Sequence, residues 1–302
     1  MDELILLALR LLLVVGAATI GLLLAEAFEA TNIGQKIARL LAHPLATVGV
    51  DARLAVAAPL ALASPHAEHA LVSRVYREQG LEDHDVIGYA LVVSPLRTIY
   101  ALYRFTLPIT LPLLGPLLAL ANALVNLAVA MVKALVGILY LRGKKRNKYR
   151  STTIATPYSF TSTQYGHRNF SLKRVARYVK KLAIRLVIVY TLTNLLIKYL
   201  PVNLIDSSTP LLSIALVYAI DTYSGYIVAA QFYGHGVLSA TETMAGLVLG
   251  KIFFHLVKEY PFHTFPFYTV YYPTKLAVKM TVVNMIATIV TLIIILIPLL
   301  LL

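Results

Sequence analysis

Two short clusters hold the side chains of this chain that could do chemistry. Ser64, His66, Glu68 and His69 form the first, and Asp221, Thr222, Tyr223 and Ser224 form the second. Each sets one carboxylate beside a hydroxyl, and each interrupts an apolar stretch. Burying a carboxylate among apolar groups costs on the order of several kcal/mol unless it is paired or solvated. Glu68 and Asp221 are therefore candidates to meet a proton, a cation or a donor group of a solute. The competing reading is a helix cap, with Asp221 accepting backbone N–H bonds at the start of the next helix, as Ser64 would in the first cluster. Half-helix N-termini also offer free N–H groups and partial positive charge, which suit acceptor atoms or anionic groups. By donor type, His66, Glu68 and His69 suit a divalent metal, but the second cluster has no histidine to complete the shell.

The elements that must position these residues are two broken apolar segments. Residues 52–79 carry one apolar arm at 54–62 and another at 70–76; residues 211–233 are interrupted at 221–225. An arm of about 10 residues reaches about 15 Å, half of the roughly 30 Å hydrocarbon core. Such a segment is expected to enter the membrane and turn back as a re-entrant helical hairpin. Lipid offers no hydrogen-bond partners, so polar backbone at that depth needs protein or a water-filled cavity around it. Paired broken segments in two halves of a chain point to a binding site near the membrane midplane.

Composition puts that membrane there. The chain is 59% hydrophobic and 14% charged, with a mean hydropathy of +0.75, outside the range of soluble domains. There is no cysteine, which excludes thiolate chemistry and disulfides. The net charge of +13 would suggest nucleic acid in a soluble protein. Here the cations flank apolar segments, so they read as topology signals and contacts to anionic lipid headgroups, with no nucleic-acid partner. The expected partners are the bilayer, a small-molecule or ion substrate, and a second copy of the chain.

Spanning helices are expected at residues 4–27, 86–105, 117–140, 182–200 and 274–302, with a shorter one at 244–257 running into polar helix at both ends. The first lacks the basic start of a signal peptide, since Met1-Asp2-Glu3 precedes it, and is expected to be retained. Residues 33–41 suit an interfacial helix. Residues 142–181, opening RGKKRNKYR, form a basic connector expected on the cytoplasmic side. It divides the chain into 1–141 and 182–302. Residues 106–116 and 201–210 lack Lys and Arg and fit the outside, as do both termini.

An internal repeat relates the halves. Aligning Gly80 with Gly236, an offset of 156, lays Val72 on Val228, Leu91 on Leu247, Val92 on Val248 and Pro65 on Asp221. Each half has an odd number of crossings, so the second copy is expected to be inverted. Ser94-Pro95 breaks the helix 86–105, opposite Gly250-Lys251, giving either an unwound segment or a kink. Asn122, Asn126 and Asn284 lie inside spanning helices and would offer amides to a ligand or pack helices together. Glu82, Asp83, His84 and Asp85 suit a helix start, and so does Glu242; Lys251 and Lys258 are expected to snorkel. Walker A, dinucleotide, HExxH and nucleophile-elbow patterns are absent from the sequence, so no enzyme activity and no cofactor are expected.

The stretch 54–115, LAVAAPLALASPHAEHALVSRVYREQGLEDHDVIGYALVVSPLRTIYALYRFTLPITLPLLG, resembles the nucleoside-recognition Gate domain, and residues 211–273 resemble it more weakly. Gate domains occur in concentrative nucleoside transporters, ferrous-iron transporter B proteins, spore maturation proteins A and B, and archaeal membrane proteins of similar length. The resemblance implies a transport core of hairpins and broken helices, with residues 64–69 and 221–225 at the tips that contact substrate in transporter members. His66, Glu68 and His69 do not match a nucleoside-binding pattern, so the substrate is not implied, and the GTPase domain of the iron transporters is missing. The expectation is an all-α polytopic membrane protein of two inverted repeats, acting as a secondary transporter or permease of a small solute, nucleoside-like or otherwise polar, coupled to protons or cations through Glu68 or Asp221. The alternatives are a non-transporting scaffold or assembly factor of the same fold, and a divalent-metal transporter.

Overall fold

The computed structural model describes residues 44–45, 47–62, 64–143 and 208–301. The expected spans 4–27 and 182–200, the interfacial helix 33–41 and all but the start of the connector lie outside the described residues. Every regular element that is described is helical, and by contacts the described chain falls into two compact units. One contains residues 44–100 and 130–143; the other contains 101–129 and 208–301.

The first unit opens on α1, Ala52–Ala55, capped by Asp51, whose Oδ1 accepts from Arg53 N. A short 3-10 turn, Ala58–Leu62, follows. The first arm of the expected hairpin is therefore not one regular α-helix. Residues 55–63 read AVAAPLALA; Pro59 gives no N–H to an α-helical ladder, and the chain tightens around it. Ser64, extended at φ −153° and ψ 103°, then caps α2, Pro65–Glu78, by accepting from Ala67 N at 3.3 Å. Proline at the first helical position is pre-set for this start. Gly80, at φ 62°, turns the chain out of α2 in the left-handed conformation that glycine adopts without strain.

Next come α3, Asp83–Val92, and α4, Ser94–Ala101, separated only by Val93. The break expected at Ser94-Pro95 is present as this junction. A π-helical turn, Leu102–Thr106, leads into α5, Leu107–Gly143. The connection expected over 106–116 is thus helical except at Gly115, where two helices meet at a kink. The break is confined to Gly115, whose φ of 74° and ψ of 169° leave the helical region. In the first unit α3 lies close against the far end of α5: a methyl on Gly137 would sit 2.7 Å from Leu91 Cβ.

The second unit holds α6, Ser208–Ile220, α7, Thr222–Gly234, and α8, Ala240–Phe254. A π-helical segment, His255–Thr264, leads to α9, Phe265–Tyr271, and then α10, Thr274–Leu301. At 13 residues each, α6 and α7 reach roughly 20 Å, short of the hydrocarbon core. They pack against each other across a single non-helical residue, Asp221. The most extensive packing in this unit is α6 on α8. Gly246 and Gly250 allow it, since a methyl at Gly250 would lie 2.7 Å from Tyr218 Cβ and one at Gly246 would lie 3.2 Å from the Leu211 carbonyl.

Three continuous helical stretches are long and apolar enough to cross a membrane: Ser94–Gly143, Ala240–Tyr271 and Thr274–Leu301. Their side chains sort as lipid contact requires. On α5, Leu117, Leu120, Leu124, Met131, Leu135 and Leu139 are exposed, while Leu118, Asn122, Val125 and Val129 turn inward at the same helical spacing. On α10, Val278, Val282, Ile286, Val290 and Ile294 are exposed, and Thr281, Asn284, Thr288 and Thr291 are buried. An apolar outside over a polar inside is the reverse of a water-soluble helix.

The same order of elements recurs in both halves of the sequence: a capped helix, a left-handed glycine, a capping box, and a π-helical turn. The caps register the repeat at 157, one residue off the spacing of the glycines. Ser64 corresponds to Asp221, Glu82 to Ser239, and Asp85 to Glu242, each the cap or capping-box position of its helix. The left-handed glycines, Gly80 and Gly236, keep the offset of 156, while by cap position the counterpart of Asp221 is Ser64 rather than Pro65.

Candidate functional site

In the first unit the polar cluster closes on itself. Glu68 lies one turn into α2 and is 0% exposed. Arg97, on α4, grips it with both forks of its guanidinium: Nε to Oε2 at 2.7 Å and Nη2 to Oε1 at 2.6 Å. Its third nitrogen, Nη1, donates to the Ala90 carbonyl at 2.9 Å, in the turn before Pro95. Both carboxylate oxygens are thus occupied, and the α2 N-terminus adds favourable potential. His69 is buried beside Glu68, and His66 is exposed. Among the described residues no group of three His, Cys, Asp or Glu is placed to hold a metal. The metal reading of His66, Glu68 and His69 is corrected accordingly: the carboxylate that would complete it is taken by Arg97. Ser94 is buried at the head of α4.

The second polar run behaves as a cap. Asp221 is extended at φ −147° and ψ 118°, and its Oδ2 accepts from Ser224 N at 2.9 Å and from Ser224 Oγ at 2.7 Å. Thr222, Tyr223 and Ser224 form the first turn of α7 rather than a loop. The last carbonyl of α6, Ile220, accepts from Lys258 Nζ.

A different cluster lies inside the second unit, between α5, α6, α7 and α8. Lys251 is only 3% exposed. The expectation that it snorkels fails because α8 is covered on all sides there: Leu247, Val248, Gly250 and Ile252 are buried with it. Its Nζ donates to Asn126 Oδ1 at 2.6 Å. Among the described residues no carboxylate pairs with it. One turn back on α5, Asn122 is 0% exposed; its Nδ2 donates to Tyr226 Oη at 3.3 Å, and its Oδ1 has no partner among the described residues. Tyr226 Oη in turn meets Tyr218 Oη at 3.3 Å. Tyr218 is fixed in place, since Gly225 and Gly250 both press on it and Phe254 stacks edge-on at 6.1 Å. Asn122 and Asn126, four residues apart, share one face of α5.

Asn284 does not join this cluster. Its Nδ2 donates back to the Met280 carbonyl at 2.9 Å. Its carbonyl accepts from Tyr260 Oη at 3.0 Å, and Tyr260 meets Thr288 Oγ1 at 2.6 Å. Through its backbone carbonyl Asn284 therefore ties α10 to the π-helical segment.

The residues the sequence analysis passed over are Arg97, Tyr218 and Tyr226. Arg97 carried a signal, a cation inside an apolar stretch two residues after Pro95, where a buried Glu68 needs a partner. The tyrosines carried none, because nothing in their spacing distinguishes them from aromatic packing residues. No protein-family profile, curated protein or solved structure matches this chain.

Proposed function

We propose that the chain is a multi-pass membrane transporter or permease for a small polar solute, with its solute site at Lys251, Asn126, Asn122 and Tyr226. The observation that carries this reading is Lys251: a lysine amine buried in a helix apolar enough to cross a membrane, with one neutral acceptor and, among the described residues, no countercharge. Intramembrane charge of this kind is costly and is held where a solute or ion passes. Two helices too short to cross, α6 and α7, break beside the cluster, which suits re-entrant elements around a midplane site. The Gate-domain resemblance of residues 54–115 and the recurrence of elements across the halves point to inverted repeats and transport in the same way. On this reading residues 142–181 face the cytoplasm and the termini lie outside.

A scaffold that does not transport is the second reading. The pairing of Glu68 with Arg97 and the capping role of Asp221 favour it, because both acidic candidates are occupied as a static core would hold them. Uptake of labelled small polar solutes into proteoliposomes separates the two. The transport reading predicts uptake by wild-type protein that survives deletion of residues 150–165. No uptake of any solute, together with loss of cellular function on that deletion, would favour the scaffold.

A further inference from the structure

We infer that the solute class recognised at Lys251 is a small hydroxy-monocarboxylate. The inference rests on the transport reading for its place in the membrane, but its chemistry comes from the unmet valences of the cluster. An ammonium has three N–H donors. Asn126 Oδ1 takes one, leaving two for an anion. In a low-dielectric interior one positive charge balances one negative charge; a dianion such as a phosphate monoester would leave the site as far from neutrality as it is when empty.

Asn122 sets the second requirement. Its amide is fully buried, with one pole on Tyr226 and the other unpartnered. Four residues separate it from Asn126 on the same helix face, about one turn, roughly 5–6 Å between the two Cβ atoms. As assigned, the free pole is the oxygen and calls for a donor. With the amide turned over, Tyr226 donates to the oxygen and the free pole is the N–H₂, which calls for an acceptor. A hydroxyl serves both orientations. An amino group meets only the first, and its charge would cancel the carboxylate, leaving Lys251 uncompensated again.

The test is calorimetric titration of the full chain in nanodiscs with 3-hydroxybutyrate, butyrate, threonine and sulfate. 3-Hydroxybutyrate is expected to bind most tightly and butyrate more weakly; threonine and sulfate should bind at least about tenfold more weakly than 3-hydroxybutyrate, about 1.4 kcal/mol. Lys251→Met removes the charge and should abolish binding. Asn126→Asp places a carboxylate at the position that now contacts Nζ; it should also abolish binding, by supplying the missing anion from within the protein, and should raise the melting temperature. Asn122→Leu should erase the preference for 3-hydroxybutyrate over butyrate. Wild-type affinity in Asn126→Asp would overturn the inference, as would no carboxylate binding by folded wild-type protein. If carboxylates do not bind while an uncharged solute is taken up, the inference fails and the transport reading stands. If they bind at Lys251 without uptake, the inference stands and the transport reading fails.

Discussion

The two halves of this chain solve the same problem, a polar group inside an apolar helix bundle, in opposite ways. At the register of 157 set by the caps, Glu68 corresponds to Gly225, Arg97 to Phe254, and Ser94 to Lys251. Where the first half places a two-fork ion pair, the second places a glycine against Tyr218 with Phe254 stacked on the same ring. Where the first half places a small hydroxyl, the second places an ammonium. The Glu68–Arg97 pair is electrically closed, so it ties α2 to α4 with its charges balanced. The Lys251 charge is open, held by one amide oxygen. The difference separates a group that holds structure from a group that waits for a ligand.

The largest effect should come from breaking the closed pair. Glu68→Gln leaves the Arg97 guanidinium buried without its countercharge, at a cost of about 3–5 kcal/mol, nearer the lower figure because Arg97 retains some exposure. Thermal unfolding in detergent should show this, and Glu68→Leu combined with Arg97→Met should recover most of it. Lys251→Met should melt at or above the wild-type temperature, since removing a charge that lacks a partner takes away a desolvation cost. If Lys251→Met were as damaging as Glu68→Gln, the contrast would collapse and Lys251 would be structural.

Next in size is the glycine that stands where Glu68 stands in the other half. A methyl at Gly225 would sit 2.5 Å from Tyr218 Cβ and 2.6 Å from its Cα. Backbone cannot yield as a side-chain tip can, so the clash should outweigh the roughly 1 kcal/mol that alanine gains in a helix. Gly225→Ala should destabilise by about 1–3 kcal/mol, and a shift of the tyrosine fluorescence would report displacement of Tyr218.

Smaller again is the loss of a cap. Asp221→Ala removes the acceptor for Ser224 N and should cost about 1 kcal/mol, while Asp221→Asn, also a good cap, should cost less. A loss of uptake by Asp221→Asn far beyond its loss of stability would return Asp221 to the functional residues.

The smallest effect is a dependence on pH. Burial, with the nearby Asp51 charge adding to it, raises the Asp85 carboxyl above the ordinary range. The folded state therefore holds that proton more tightly than the unfolded chain. Stability falls as pH rises from the ordinary carboxylate pKa, about 3.9, through the raised folded value. Asp85→Asn should flatten that slope in a pH series of melts.

Much of this was legible from sequence. The helix 274–301 followed from its unbroken apolar run, and the helix starts at Ser64, Glu82 and Asp221, and near Glu242, followed from residues whose side chains can replace missing backbone partners. The π-helical turns were not legible, because a ladder that gains one residue keeps the same composition. The connection expected at 106–116 narrowed to the kink at Gly115, because prolines spaced at four residues interrupt hydrogen bonds without ending a helix. Lys251 was misread because hydropathy along a line does not say which face a neighbour covers. The clue was Gly246 and Gly250, four residues apart, which admit α6 so closely that no lipid face remains beside Lys251.

The most direct test of the whole account is solute flux into proteoliposomes holding Lys251→Met. The account predicts background uptake from protein that melts at or above the wild-type temperature. Uptake at the wild-type rate would contradict it, because the open charge would then serve neither the fold nor the solute.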